Sequence, residues 1–261
     1  MTALPAGLAG RDFERLEVEV DGPLLRIWLN RPEKRNALDQ QTLREIGDAF
    51  LSLEQAFDIR AIVLGGRGES FSAGADRRET ATSAPTDREQ RWRGQLGRRA
   101  TRAIEDCEIP TIARVQGHAA GGGSCLAVSC DFRITAESTQ WWVPEVELGV
   151  PLTWSATPRL IQEIGMARAR QYVMLSERVD GGTAAEWGLA HECVADDALD
   201  SVVGRWVDRV LAMSELAINM SKTQFRSYNR RSALGDVSET DGDIIARAQD
   251  TDDFRQRFAD F

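Results

Sequence analysis

Two glycine-rich segments of this 261-residue chain could each present a backbone amide to a ligand. Gly74 lies in the segment 73–76, and three consecutive glycines occupy 121–123. Glycine adopts unusual backbone angles and lets a ligand approach the main chain closely. The apolar stretch 124–130 predicts a helix after the second segment, so the amide of Gly122 would lie in a first turn without a helical partner. Two such amides aimed at one oxygen form an oxyanion hole, although glycines at these places can also serve only as turns.

Glu145 is the candidate proton carrier. It follows Pro144 within the segment 143–149, and its other close neighbours are two tryptophans and two valines. A carboxyl group in such apolar surroundings is desolvated, which raises its pKa and suits it to proton transfer near neutral pH. The alternative is a surface glutamate on an edge strand, and for Glu147 we favour that alternative.

Cys125, which follows the triple glycine by two positions, is a candidate nucleophile. No histidine is evidently paired with it, because His118 lies seven residues earlier across the glycine turn. The segment 123–125 does not form the Gly-x-Ser-x-Gly elbow of hydrolases. We therefore interpret Cys125 as a small, buried, apolar residue. The chain has two histidines and no metal-type cysteine spacing, so we expect no metal site.

The composition limits the possible partners. Lys plus Arg number 32 and Asp plus Glu number 41, which gives a formal net charge of −9. A chain this acidic is a poor general nucleic-acid binder, but it can still hold a local basic site for a phosphorylated small molecule. No apolar run approaches the ~20 residues that cross a bilayer, and residues 1–10 show no secretory signal. We therefore expect a cytoplasmic protein with reduced cysteines and no membrane partner.

The elements that would position these groups alternate between strands and helices. Residues 16–29 predict a β-hairpin, and Asp39 is expected to cap a helix whose apolar residues recur at three- to four-residue steps. Short strands are predicted over 60–64, 111–116 and 132–135. This alternation indicates an α/β core.

From about residue 153 onward, helical patterns dominate the sequence. We therefore expect an α/β core with the ligand site over residues 1–195 and a helical oligomerisation region over residues 196–261. Single helices in the second region would expose apolar faces. These faces are expected to pack on the core or on another subunit.

Five segments, in their order and spacing, resemble the enoyl-CoA hydratase/isomerase (crotonase) superfamily. Each motif is modest, but five in series are highly specific. The resemblance runs from about residue 14 to the end of the chain. The segments are residues 30–38, 71–76, 109–123, 130–133 and 144–149.

The resemblance implies an α/β fold, the crotonase (ClpP-like) spiral of ββα units with a C-terminal helical trimerisation region. It also implies a homotrimer or a dimer of trimers. Members of the family bind acyl-CoA thioesters and hold the oxygen of an enolate between two backbone N–H groups, which here belong to Ala75 and Gly122. Glu145 would be the catalytic acid and base. Coenzyme A enters as part of the substrate, and no separate cofactor is expected.

The same resemblance implies substrate-binding positions. The segment 75–78 and the loop 34–37 would border coenzyme A, while a C-terminal helix would contribute to a pantetheine or adenine site. Arginines at these positions would offer positive charge to phosphates, although solvated surface is the alternative for each of them. The expected substrate-binding residues are Arg35, Ala37, Ala73, Asp76, Arg77, Arg78, Gly121, Cys125, Trp142, Trp154, Lys222 and Phe225.

Two departures from the family pattern bear on the reaction. Cys125 stands where the family's hydratases carry a first glutamate, and loss of one of two carboxylates should cost hydration on the order of 10²–10⁴-fold. The remaining Glu145 favours double-bond isomerisation over hydration. Trp142 and Trp154 stand where small residues are common. If they face the pocket, it is narrower and drier, whereas core packing is the alternative.

Other reactions on the same fold stay open. They are hydration, thioester hydrolysis and decarboxylation, and the altered Cys125 and Trp154 positions motivate them. A catalytically degenerate acyl-CoA-binding protein is a further alternative. The missing acid motivates this last hypothesis, and the retained Glu145 argues against it.

Overall fold

The computed structural model describes residues 4–80, 85–230 and 241–260, and it contains a larger and a smaller β-sheet surrounded by helices. The larger sheet has six strands in the order β1-β2-β3-β4-β6-β8, and the smaller sheet pairs β5 with β7. The strands are β1 (Leu16–Asp21), β2 (Leu24–Leu29), β3 (Ala61–Gly66), β4 (Thr111–Val115), β5 (His118–Ala120), β6 (Phe132–Ala136), β7 (Gln140–Trp142) and β8 (Glu192–Val194).

The first two strands form the predicted hairpin, and they are the antiparallel pair of the larger sheet. Gly22 turns the chain between them with φ +55°, a left-handed conformation that glycine adopts without steric cost. The remaining neighbours in this sheet run parallel. Every residue of β3 is buried, as is typical of a central parallel strand that is covered on both faces.

Helices connect the strands and then make up the C-terminal part of the chain. Asp39 caps the first helix as predicted, because its side chain accepts a hydrogen bond from the backbone of Thr42. Gly165 interrupts the longest helix with φ +73°. The helices are α1 (Gln40–Leu51), α2 (Arg77–Thr80), α3 (Asp87–Gly94), α4 (Leu96–Asp106), α5 (Gly122–Val128), α6 (Ala156–Met174), α7 (Gly181–Trp187), α8 (Leu199–Leu211), α9 (Glu215–Arg230), α10 (Asp241–Gln249) and α11 (Asp252–Asp260).

The order of the elements repeats a ββα unit. β4 and β5 lead into α5, and β6 and β7 lead into α6. After β3, the chain makes isolated parallel bridges at Ser72, to Ala119 in β5, and at Ala75, to Leu38. These bridges extend the smaller sheet, so three successive units place short parallel segments side by side. Because neighbouring parallel segments end at the same edge, residues 75, 122 and 145 are gathered there from distant parts of the chain.

Two helical layers cover the larger sheet. The main apolar core lies on the side of α1, α4 and α5. On the other side, valines of α8 pack against Ile112 and Ile134. The apolar face of α8 is therefore buried within one chain, and the division at residues 195 and 196 stays a prediction. A helix long and apolar enough to traverse a bilayer does not occur in the described parts of the chain.

The last two helices return to the edge where residues 75, 122 and 145 meet. Arg91 of α3 binds Asp243 of α10 through two hydrogen bonds of 2.7 and 3.1 Å. In α11, Phe254 lies against Gly149, and the guanidinium of Arg77 stands 5.4 Å from the centre of the Phe258 ring. α10 and α11 therefore pack over the edge at which residues 75, 122 and 145 meet.

Asn36 links the loop after β2 to the loop after β3. Its buried side chain donates to the carbonyls of Arg67 and Ser70, at 2.9 and 2.7 Å, and accepts from the amide of Arg31 at 2.9 Å. Its φ of +55° is a left-handed conformation that asparagine tolerates better than most residues. Asn36 thereby fixes the segment that pairs with Ala75.

Asn36→Ala is expected to lower the free energy of unfolding by about 2–4 kcal/mol, because one buried carbonyl, one partly buried carbonyl and one partly buried amide lose their partner. The exposed Asn30 is the matched control, and Asn30→Ala should change it by less than about 0.5 kcal/mol. Urea unfolding at one fixed protein concentration measures both variants. Equal urea midpoints for Asn36→Ala and Asn30→Ala would contradict the role given to Asn36.

Candidate active site

The segment that follows β3 leaves the amide of Ala75 outside its bridge to Leu38. Leu38 donates to the carbonyl of Gly74 at 2.8 Å and accepts from the amide of Asp76 at 3.0 Å. In a parallel bridge, these two bonds use the groups on either side of the paired residue, so the N–H of Ala75 points away from Leu38. Ala75 itself is exposed to solvent.

The amide of Gly122 begins α5 and has no residue one turn earlier in the helix to accept its hydrogen bond. Gly121 turns the chain into this helix with φ +47°. The bend at Gly74, with φ +87°, lies directly against it: a Cβ on Gly74 would stand 2.7 Å from the carbonyl oxygen of Ala120 and 3.5 Å from the amide nitrogen of Gly122. The two glycine-rich segments are therefore in contact, and a side chain at Gly74 would not fit between them.

The carboxyl group of Glu145 lies on the backbone of Gly121. A Cβ on Gly121 would meet Oε1 of Glu145 at 2.7 Å and its Cδ at 3.6 Å. The other oxygen, Oε2, is buried and has no hydrogen-bond partner among the described residues. The carbonyl of Glu145 accepts from the amides of Leu148 and Val150, at 3.1 and 2.9 Å, which fixes the turn. The carboxyl group of Glu145 therefore lies against the residue that directly precedes Gly122.

Burial raises the pKa of Glu145 to about 7, and a hydrogen bond from its own backbone amide opposes the rise. The carboxyl group has lost water, and none of the residues that the structure describes compensates its charge with a cation, so the charged form is disfavoured. A pKa near neutrality lets one group accept and donate a proton under the same conditions. This environment agrees with the interpretation of the apolar segment around Glu145.

Tyr172 is a polar neighbour of Glu145 that sequence patterns did not indicate. Its fully buried hydroxyl lies 2.9 Å from the hydroxyl of Ser124, in the first turn of α5. Burial raises the pKa of Tyr172 well above its usual range, and the nearby charge of Glu145 adds to the rise, so the phenol stays protonated. The two hydroxyls come from residues 48 positions apart. Cys125, the next residue of α5, is buried as predicted.

Trp142 and Trp154 are both half-buried, and each contacts one of the two glycines Gly121 and Gly122. The carbonyl of Trp142 accepts from the amide of Gly121 at 2.7 Å, and the guanidinium of Arg178 stands 3.9 Å from its ring. The ring of Trp154 lies on Gly122. The ring of Trp154 therefore lies at the candidate site, whereas Trp142 contacts the site through its backbone carbonyl.

Asp76, an expected substrate contact, is part of an internal ion pair, and its contact with substrate stays a prediction. Its carboxylate lies 3.0 Å from Arg31, which also donates to the carbonyl of Ala37 at 2.6 Å. The amide of Ala73 donates to the carbonyl of Arg35 at 2.9 Å. These bonds hold the loop 34–37 against the segment 73–76. The guanidinium groups of Arg35, Arg77 and Arg78 belong to exposed residues at the rim.

Lys222 and Phe225 are not brought to this site within one chain. The ammonium of Lys222 is buried, pairs with Asp131 at 2.7 Å and donates to the carbonyl of Ile109 at 2.9 Å. Phe225 is exposed. Both line a separate cavity of about 440 Å³ between α9 and the helices α5 and α6. Asp131 compensates the positive charge of Lys222 within this cavity.

Within the described ranges, the acidic, cysteine and histidine side chains form no group of three or more that could hold a metal ion. The carboxyl of Glu145, with its pKa of about 7, is the group at the site that suits proton transfer near neutral pH.

Comparison with known proteins identifies the fold and the family. A family model described as enoyl-CoA hydratase/isomerase matches residues 19–261. A crotonyl-CoA hydratase of Syntrophomonas wolfei is 34% identical over 211 residues, which cover 80% of each chain. A short-chain-enoyl-CoA hydratase of Clostridium acetobutylicum is 32% identical over 212 residues, 81% of this chain and 80% of the relative.

Solved structures agree with this result. An enoyl-CoA hydratase/isomerase from Mycobacterium paratuberculosis superposes with a TM-score of 0.86 at 23% identity, covering 95% of this chain and 98% of the other. An enoyl-CoA hydratase/carnithine racemase from Magnetospirillum magneticum gives a TM-score of 0.80 at 27% identity, with 95% and 92% covered. The expected spiral of ββα units is confirmed.

Glu145→Gln is expected to stabilise the protein increasingly as the pH rises. The folded pKa of about 7 lies above the ordinary value of 4.5, so the folded state holds the proton more tightly. The contribution of Glu145 to stability is full below about pH 4.5 and is lost as the pH rises through 7. The neutral amide of glutamine avoids this loss. The free energy of unfolding of Glu145→Gln, relative to that of the wild-type protein, should therefore grow by about 2–3 kcal/mol between pH 5 and pH 8.

Unfolding measurements at the two pH values test this expectation, with Glu147→Gln as the matched control because Glu147 is exposed. The same pH dependence in both variants would show that the carboxyl of Glu145 is solvated in the folded protein.

Proposed function

The chain belongs to the enoyl-CoA hydratase/isomerase family, and we propose that it shifts the double bond of an enoyl-CoA thioester, with Glu145 as the proton carrier. The observation that carries this proposal is the carboxyl group of Glu145, which has a pKa of about 7 and lies against the backbone of Gly121, the residue before Gly122. In this reaction, the thioester oxygen accepts hydrogen bonds from the N–H groups of Ala75 and Gly122. Negative charge that develops on the oxygen is stabilised by these preorganised donors.

Isomerisation needs one group that both removes and returns a proton. Glu145 takes the proton from the carbon next to the thioester carbonyl, and the bonding electrons move into a dienolate. The same carboxyl then returns the proton two carbons further along, so the double bond moves by one position and no atom is gained or lost. A pKa near neutrality supports both halves of this transfer.

Cys125 supports isomerisation over hydration. Hydration requires a water molecule to be activated while another group delivers a proton to the neighbouring carbon. The family's hydratases use a glutamate at the position of Cys125, and here that position is a buried thiol at 2% exposure. The remaining carboxyl would have to serve both tasks.

Hydration is the second candidate, and the names of the relatives favour it. Proteins 34% and 32% identical to this chain are called crotonyl-CoA hydratase and short-chain-enoyl-CoA hydratase. If this chain hydrates its substrate, Glu145 would act first as the acid rather than as the base. The two candidates therefore differ in the protonation state that the free enzyme needs.

We further propose a homotrimer or a dimer of trimers in the cytoplasm, with no cofactor beyond the coenzyme A of the substrate. Exposed apolar side chains of α9, among them Leu216, Met220 and Tyr228, support its use as an oligomer contact. Burying such side chains between subunits removes their apolar surface from water. Light scattering gives the mass, and a monomer at micromolar concentration would contradict this assembly.

The reaction is tested with 3-enoyl-CoA and 2-enoyl-CoA substrates. Isomerisation by the wild-type protein should exceed hydration, and Glu145→Gln should lower kcat by on the order of 10²–10⁴-fold with little change in KM. Glu147→Gln is the control and should keep full activity. Full activity in Glu145→Gln would refute the role of Glu145, and strong hydration without isomerisation would favour the second candidate.

The pH dependence separates the two candidates independently. Isomerisation needs the carboxylate of Glu145 in the free enzyme, so kcat/KM should rise with pH and level off above about 7. Hydration with Glu145 as the acid would instead give a kcat/KM that falls over the same range. A profile with no inflection near pH 7 would contradict both assignments.

A further inference from the structure

The ring of Trp154 is seated on two glycines that come from different helices. Gly97 lies in the first turn of α4, and Gly122 begins α5. A Cβ on either glycine would overlap atoms of the Trp154 ring. Because neither glycine has a side chain, the indole ring packs directly against the backbone of both helices.

The backbone of Trp154 is held in this place at a conformational cost. Trp154 and Ser155 have φ values of +59° and +58°, in the left-handed region that residues other than glycine rarely adopt. The carbonyl of Trp154 accepts from the hydroxyl of Thr101 at 2.9 Å and from Arg159 at 3.1 Å. Arg159 is in turn paired with Glu105 at 2.9 Å. The ring is therefore a fixed wall rather than a mobile side chain.

This wall borders a cavity that also contains Ala75. The cavity has a volume of about 150 Å³, whereas pockets for small molecules usually measure about 300–1,000 Å³. The acyl chain of a thioester held at Ala75 would extend into this space. Its lining combines apolar residues, among them Leu38, Leu43 and Ile245, with polar ones, among them Gln40, Glu79 and Arg93.

We propose that Trp154 is the residue that limits the length of the acyl group, so that the enzyme selects short-chain acyl-CoA thioesters. This inference rests on the proposed function, because it places the thioester carbonyl at Ala75 and Gly122. The space that a longer chain would need, between Gly97 and Gly122, is occupied by the indole ring. Leu38 closes the neighbouring side, with its Cδ1 3.1 Å from the position of a Cβ on Gly122.

Trp154→Gly is the sharpest variant, because glycine adopts the left-handed backbone of this position without strain. Trp154→Phe is the conservative control, since it keeps an aromatic wall. The measurement is kcat/KM for four-carbon and eight-carbon enoyl-CoA substrates. The wild-type protein should prefer the four-carbon substrate, and Trp154→Gly should raise the eight-to-four ratio at least about tenfold, with a smaller change in Trp154→Phe.

Calorimetric titration with butyryl-CoA and octanoyl-CoA gives a reading that needs no turnover. The wild-type protein should bind the shorter ester more tightly, and Trp154→Gly should narrow or reverse the preference. If the esters bind with this pattern but no enoyl-CoA is converted, the proposed reaction fails while the length limit stands. If four-carbon turnover is retained and neither ratio changes more than twofold, Trp154 only packs and the length limit is overturned.

The packing of the Trp154 ring on Gly97 is tested by combining two substitutions. Gly97→Ala should lower the unfolding temperature in the wild-type background, where its methyl group meets the indole ring, and should have no such effect in Trp154→Gly. A methyl group at Gly97 that is equally costly in both backgrounds would show that the ring does not occupy this space, which would overturn the proposal.

Discussion

The contact between the Glu145 carboxyl and the bare backbone of Gly121 is the constraint on which the candidate site depends. It excludes any side chain at Gly121, removes water from the acid and fixes the acid against the residue that precedes α5. The raised pKa of Glu145 follows from this burial. Glu147, two residues later, is exposed and shows what the same side chain does without such a contact.

The spiral of ββα units supplies the positions that this contact needs. Each turn of the spiral adds a short parallel segment to the smaller sheet, and each segment ends at one edge. The amide of Ala75, the amide of Gly122 and the carboxyl of Glu145 come from three successive turns. Buried polar links such as Asn36 and the pair of Arg31 with Asp76 hold these turns in register.

Sequence patterns were sufficient where the decisive interactions are local. The hairpin, the cap at Asp39 and the helix that starts at Gly122 are set by residues close in the chain, and all three are confirmed. The apolar neighbours of Glu145 likewise indicated its burial. The family could be identified because its motifs keep their order and spacing.

Long-range contacts could not be predicted in the same way. Nothing local pairs Tyr172 with Ser124, joins Asp76 to Arg31 or turns Lys222 toward Asp131. Trp154 left two interpretations open, because the glycines that its ring packs on, Gly97 and Gly122, belong to two different helices.

A crystal structure with an unreactive acyl-CoA analogue should show the thioester oxygen within about 2.7–3.2 Å of both the Ala75 and Gly122 nitrogens, with the Glu145 carboxyl facing the adjacent carbon. An oxygen bound by neither nitrogen, or a carboxyl turned to solvent, would contradict the site described above.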